Sequence, residues 1–140
     1  MPELTYTREL VVEWGDCDPA GIVFFPRYFE MFDVNTNALM EAATGLRKAE
    51  LLKHYNIAST PLVNLQAKFH LPSRYGDTVR ISSAVVEFRR SSFDIEHRLM
   101  RGDQLGVEGR ETRVWAGQHP DDPQRLKAVP IPTDLVAKFG

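Results

Sequence analysis

A chain of 140 residues suits one domain, residues 1–140, with one sizeable core. Its 43% apolar and 26% charged content is ordinary for a soluble globular protein, and a formal charge of −2 gives no global basic field of the kind that points to nucleic acid. One cysteine, Cys17, excludes an intramolecular disulfide or a cysteine metal cluster within one chain; no apolar signal core opens the sequence, and no apolar run nears the ~20 residues that span a bilayer. These features predict a reducing, cytoplasmic setting.

The first predicted element is a strand from Thr5 to Trp14, in which Leu10, Val12 and Trp14 alternate with Glu9, Val11 and Glu13. GDCDPAG, a run of turn formers, ends it. A long helix follows, with Pro26 in its first turn and Gly45 as its C-terminal cap. Phe25, Phe29, Phe32, Leu39 and Ala43 fall on one face, reinforced by Tyr28 and Met40, while Glu30, Asp33, Asn37 and Glu41 form a polar stripe. Asn35, Thr36 and Asn37 are mediocre helix formers, so tertiary packing has to hold the middle of this helix. A shorter helix is expected over Arg47 to Tyr55.

From Thr60 the pattern becomes strand-like: Leu62 to Leu71, then Asp77 to Phe88, then Phe93 to Arg101 after the RRSS turn, then Leu105 to Gly117. Val79, Ile81 and Val85 share one face, as do Phe93, Ile95, His97 and Leu99. The proline-bearing tail from His119 reads as irregular, with a short helix near Asp134 to Phe139. Consecutive strands joined by short turns argue for an antiparallel sheet. One long helix covers only one face of it, so an α+β architecture with a curved five-stranded sheet wrapped around the helix is the economical solution. The uncovered face and edges then call for a partner, at least a second copy.

The segment joining strand to helix, Glu13 to Pro26, sets two carboxylates and two glycines just ahead of a helix N-terminus. Pro26 biases Phe25 toward an N-cap conformation, and a phenylalanine cannot bond the first helical N–H groups. Such unpaired donors suit a developing oxyanion, and one preorganised donor contributes roughly 3–4 kcal/mol to a barrier.

GDCDPAGIVFFPRYFEMFD resembles the signature of the 4-hydroxybenzoyl-CoA thioesterase family, in its subgroup with an aspartate in the strand-to-helix loop. STPLVN, FRRSSF and RLKAVPIP resemble the same family, so the likeness runs through most of the chain. It implies a hotdog fold, hydrolysis of an acyl-CoA thioester without a cofactor, and dimers that pair into tetramers. By this resemblance Asp18 is the catalytic carboxylate, as nucleophile or as general base, and both roles stay open. The Phe25 N–H is the main oxyanion donor, Gly21 permits close approach of the thioester, and Asp33 recognises a distal hydroxyl of an aryl group. The hairpin Arg89-Arg90-Ser91-Ser92 meets the nucleotide phosphates, with Ser91 standing where a relative carries a further basic residue. Thr60 contacts the pantetheine or the neighbouring subunit, and Lys127 and Arg125 are further phosphate candidates.

Blander readings stand beside these. Asp before proline in a turn is usually structural, and Asp16 is read that way. Asp33 also suits a solvent-facing or subunit-seam position, and each basic residue a solvated surface. Two flanking carboxylates suppress the Cys17 thiolate, which disfavours a cysteine nucleophile. His54, His70, His97 and His119 show no metal-binding spacing, and His70 and His97 read as packed or surface strand residues. The competing functions are a short-chain or fatty acyl-CoA thioesterase, a hydratase of the same fold, and a non-catalytic acyl-CoA-binding module. The absence of histidine from the loop and the long helix disfavours the hydratase.

Overall fold

The structure, a computed structural model, describes residues 2–140. In β1 (Thr5–Val11), Tyr6, Arg8 and Leu10 turn inward while their neighbours are exposed. This strand stops short of Trp14, because Trp14–Asp16 closes into a single 3-10 turn and leaves the indole 73% exposed against Tyr75. Helix α1 (Phe25–Thr44) follows and ends at Gly45, whose φ of 73° lets its N–H reach back to the Glu41 carbonyl. Helix α2 (Lys48–His54) is a short second helix.

Four strands come next: β2 (Leu62–Phe69), β3 (Thr78–Phe88), β4 (Ser92–Arg101) and β5 (Gln104–Val114). With β1 they form one antiparallel sheet in the order β1-β3-β4-β5-β2, so β1 and β2 are its edges. Helix α1 lies across the inner face, giving the expected α+β hotdog architecture. Two boundaries differ from expectation. Beyond Phe69 the amides of His70 and Leu71 both donate to the Gly106 carbonyl, which ends the β2–β5 ladder early. At Trp115 the chain leaves the sheet, and β6 (Ala116–Gln118) pairs instead with β7 (Leu126–Ala128), inside the tail expected to be irregular. Strands of three residues carry no period that a sequence pattern reveals. Helix α3 (Thr133–Ala137) completes the chain.

The core has two apolar halves divided by a polar belt. One half gathers Tyr28, Met31, Phe32, Val79, Ile81, Leu99 and Val107; the other gathers Leu39, Met40, Val85, Phe93, Ile95 and Trp115. Between them α1 and the three central strands each pass through a buried polar residue: Asn35 and Thr36 on α1, Ser83 on β3, His97 on β4 and Glu111 on β5. This belt sets the rotation of α1. The expected apolar stripe put Phe25 inward, yet Phe25 is 56% exposed, and Met31, Asn35 and Thr36 are buried instead. Turning Asn35 inward lets its amide donate to Ser83 Oγ (2.8 Å) and the Ile81 carbonyl (3.2 Å), while its oxygen accepts from Arg8 Nε (2.9 Å). Leaving those strand groups unpaired would cost more than exposing one aromatic edge. Phe32 stacks on the His97 ring with centroids 4.6 Å apart, directly over Gly109, where any Cβ would lie 2.8 Å from the ring.

Candidate active site

The DPAG run builds a three-residue hairpin loop. Gly21 N–H donates to the Asp18 carbonyl (2.9 Å) and Asp18 N–H to the Ile22 carbonyl (2.9 Å), with Cys17 bridged to Val23. Pro19 presets the first corner and Gly21, at φ 80°, takes the left-handed position that closes such a loop. Asp18 Oδ1 accepts the Ala20 N–H at 2.8 Å. Half of the carboxylate thus holds the loop, while Oδ2 has no hydrogen-bond partner among the described residues and the side chain is half-exposed. Asp16 is structural: its carboxylate accepts the Glu13 N–H, and its carbonyl accepts the Phe24 N–H at 2.8 Å, tying the loop to the start of α1.

That start carries no side-chain cap. The N-cap is Phe24 rather than Phe25, with Pro26 one residue further along, so Phe25 is the first helical residue and its N–H has no intrahelical acceptor. A cleft of about 360 Å³ opens beside it, lined by Ile22, Val23, Phe25, Tyr28 and Phe69. A groove of about 450 Å³ lies further along the same α1–β2 seam, lined by Phe29, Phe32, Asp33, Leu62, Leu65 and Arg113. Phe29 stands between the two, 6.2 Å from Phe25 and 6.3 Å from Phe69 by ring centroids. Eight residues of helix separate Phe25 from Asp33, about 12 Å at 1.5 Å per residue.

The remaining predicted site residues lie elsewhere. Thr60 is buried, its hydroxyl accepting from Lys48 Nζ at 2.8 Å. The 89–92 hairpin sits at the far end of β3, roughly 33 Å from the Asp18 end at ~3.3 Å per residue. Within it Arg89 is paired with Asp94 and Glu87, and its Nε donates to Ser92 Oγ (2.9 Å). Arg89 is exposed but already ion-paired within the chain, where the sequence reading left it to nucleotide phosphates. Arg90 and Ser91 anchor the tail through their carbonyls, which accept from Ile131 and Trp115; the Arg90 side chain is exposed and makes no ion pair among the described residues. Lys127, on β7, is exposed, as is Arg125. Asp18 and Gly21 lie in the loop that the Phe24 N–H ties to the helix start, Phe25 lines the cleft and Asp33 the groove further along α1, and neither Asp18 nor Gly21 lines either cavity; the hairpin lies at the far end of β3.

Residues 12–139 match the model of the thioesterase-like superfamily. The chain belongs to this superfamily. It is 34% identical over 136 residues to a 4-hydroxybenzoyl-CoA thioesterase of Pseudomonas sp. (strain CBS-3), covering 93% of this chain and 94% of that one. Among solved structures it is similar to an aspartate-to-asparagine variant of 4-hydroxybenzoyl-CoA thioesterase in complex with 4-hydroxybenzoyl-CoA, at a TM-score of 0.88 and 29% identity over 97% of this chain and 99% of that chain. A gentisyl-coenzyme A thioesterase matches at a TM-score of 0.80 and 29% identity, over 94% and 99% of the two chains.

In this member of the thioesterase-like superfamily the sequence reading missed one constellation, the charged continuation of the polar belt. Arg113, buried on β5, donates from Nη2 to Asp33 Oδ1 (2.6 Å) and to Glu111 Oε2 (3.1 Å), and from Nη1 to the Thr60 carbonyl (3.4 Å). Glu111 Oε1 accepts from Thr36 and pairs with His97 Nε2 (3.0 Å), and His97 Nδ1 meets Ser83 Oγ (2.6 Å). With Asn35 donating to Ser83, the Ser83 hydroxyl is left to donate to Nδ1, which assigns the ring proton to Nε2 facing Glu111. Burial works to raise the Glu111 pKa, but the His97 hydrogen bond and the Arg113 charge outweigh it and hold the carboxyl below its ordinary value. Burial likewise opposes the Arg113 charge, and Glu111 and Asp33 more than offset it. The available signal was parity: Ser83, His97, Glu111 and Arg113 occupy inward positions of their strands, where apolar residues are expected.

Proposed function

We propose that this chain hydrolyses an aryl-CoA thioester, with a hydroxyaryl acyl group such as 4-hydroxybenzoyl. The observation that carries the reading is the half-used Asp18 carboxylate, whose loop is hydrogen-bonded to an uncapped helix start beside an apolar cleft. The thioester carbonyl oxygen accepts from the Phe25 N–H, so charge developing on it meets a donor with no competing partner. Gly21 keeps the loop low enough for the thioester to approach. Asp18 Oδ2 either attacks the carbonyl carbon, breaking the C–S bond to give an anhydride that water then opens while coenzyme A leaves as its thiolate and takes a proton from solvent, or takes a proton from attacking water and passes it to the sulfur as the C–S bond breaks, so that coenzyme A leaves as its thiol. The aryl ring lies along the aromatic seam, and its distal hydroxyl donates to Asp33. The relative from Pseudomonas sp. acts on 4-hydroxybenzoyl-CoA by name, which favours this acyl group over a fatty chain.

The assembly belongs to the same proposal. Edge strand β2 exposes Leu62, Val63 and Phe69, and α1 exposes Val34 beside it, an apolar edge suited to a second copy. Because the hairpin lies far from Asp18 in one chain, Arg90, Ser91, Ser92 and Arg89 of a neighbouring copy are the candidates for the nucleotide phosphates, with Lys127 and Thr60 lending further contacts, and a dimer of dimers satisfies both needs. A reduced Cys17 suits the cytoplasm.

The test is a panel of acetyl, long-chain acyl, benzoyl and 4-hydroxybenzoyl esters of coenzyme A, followed by release of free thiol. Preference for 4-hydroxybenzoyl-CoA is expected. Turnover at background on the aryl esters, or tight binding without hydrolysis, would overturn the proposal.

A further inference from the structure

We infer that Arg113 is a positioning residue for acyl-group selection: it holds the Asp33 carboxylate at the α1–β2 groove from a buried foundation of Glu111 and His97 on the sheet and Thr36 on α1. The inference rests on the reading of Asp33 as acceptor of an aryl hydroxyl and adds what makes that acceptor selective.

Asp33 is the exposed end of the chain of bonds, with a side chain 55% exposed; the Arg113 side chain is only 7% and the Glu111 side chain 3% exposed. A carboxylate on the outer face of a helix ordinarily samples several rotamers in water. Here one nitrogen, Nη2, bridges Oδ1 of Asp33 and Oε2 of Glu111, so the position of Asp33 is referred to a buried, hydrogen-bonded group. Glu111 is in turn fixed from the other side by Thr36 and by His97, itself clamped between Ser83 and the Phe32 ring. Lys48 does not compete for Asp33, since its ammonium is turned to Asn37 and Thr60. Asp33 Oδ2 has no partner among the described residues and is left for a ligand, at a groove otherwise walled by Phe29, Phe32, Leu62 and Leu65.

A second observation favours a role beyond charge balance. Glu111 alone needs a cation, yet Arg113 reaches past it to an exposed carboxylate, and its buried Nε has no hydrogen-bond partner. A guanidinium placed only to neutralise Glu111 would use its fork on both Glu111 oxygens. Here Nη2 alone serves both carboxylates, reaching Asp33 at the groove, and Nη1 turns to the Thr60 carbonyl. A hydrogen bond from a hydroxyl to a fixed, ionised acceptor separates ligands by roughly 10- to 100-fold, and the same acceptor left free to rotate in water separates them little.

The experiment compares kcat/KM for 4-hydroxybenzoyl-CoA with that for benzoyl-CoA and reads their ratio. In Asp33→Asn the ratio is expected to fall roughly 10- to 100-fold. The double variant Glu111→Gln, Arg113→Gln removes both buried charges together and leaves no orphan ion; its ratio should fall by a similar factor, and adding Asp33→Asn to it should change the ratio little further. Arg113→Lys, which keeps a positive charge near Glu111 but lacks the fork, should also lower the ratio. An unchanged ratio in Asp33→Asn removes the reading of Asp33. A lowered ratio there, with the wild-type ratio in the double variant and in Arg113→Lys, removes this inference alone. Equal loss on both esters, or unfolding of both Arg113 variants, assigns Arg113 to stability and overturns it as well.

Discussion

The Asp18 carboxylate holds its loop through one oxygen and leaves the other unpaired among the described residues, and this makes one substitution unusually informative. Asparagine retains an Oδ1 that can accept the Ala20 N–H, so Asp18→Asn keeps the loop while removing the charge. We expect kcat to fall at least about 100-fold with substrate binding retained, measured by thiol release and by calorimetric titration with 4-hydroxybenzoyl-CoA. Persistence of wild-type kcat would remove Asp18 from the chemistry. The turn was legible in the residues themselves, because Asp-Pro-Ala-Gly carries the corner, the cap and the left-handed closure in order. That the loop uses one carboxylate oxygen and leaves the other unpaired was not, since it depends on which oxygen faces the Ala20 amide. The ion pairing of Arg89 was hidden for a similar reason. Its partner Asp94 comes to it across the hairpin, and Arg110 and Thr112 reach the same carboxylate from the neighbouring strand.

Helix α1 shows how an element is oriented by what it faces. Its existence, its ends to within one residue and its dependence on tertiary packing followed from Pro26, Gly45 and the weak helix formers at its centre. Its rotation did not, because an apolar stripe counts Phe25 and Phe29 but gives no weight to Asn35 and Thr36, which bind a polar belt on three strands. Likewise β6 and β7 are defined by pairing rather than pattern. Phe32 of the helix packs directly on Gly109 of β5, and this yields a prediction at this scale. In Gly109→Ala the new methyl group would begin 2.8 Å from the ring, so the ring must shift and disturb its stack on His97. Overpacking of this kind costs about 1–3 kcal/mol, which lowers Tm by roughly 4–12 °C for a chain of this size. A thermal melt at wild-type Tm would mean that α1 can move off β5 freely.

Across the whole molecule, two features join the fold to its surroundings: an apolar β2 edge and a set of buried carboxylates. If the edge carries a second copy, Val63→Lys should shift the sedimentation profile toward a smaller species, because Val63 is 60% exposed on β2 and an edge lysine resists pairing. An unchanged profile would place the interface elsewhere. The carboxylates govern the response to acid. Hydrogen bonds from Arg89 lower the Asp94 pKa far below its ordinary value of 3.8, against the opposing effect of burial, with Thr112 and Arg110 adding to the depression. Glu111 lies below its ordinary 4.5 although burial pushes it upward. A group whose pKa is depressed by folding contributes stability at pH values above its unfolded pKa, and this contribution disappears as the pH drops through the folded one. Both contributions are therefore complete at neutral pH and begin to fade below about pH 4.5, with the Asp94 share persisting to lower pH. Urea midpoints measured from pH 7 to pH 2.5 should fall steeply below pH 4.5 in the native sequence. Asp94→Asn should start from a lower midpoint at neutral pH and lose less as the pH falls, so the two curves converge. Parallel curves would show that Asp94 is no better paired in the folded chain than in the unfolded one. They would leave the arginines around it as surface charges free to meet a phosphate.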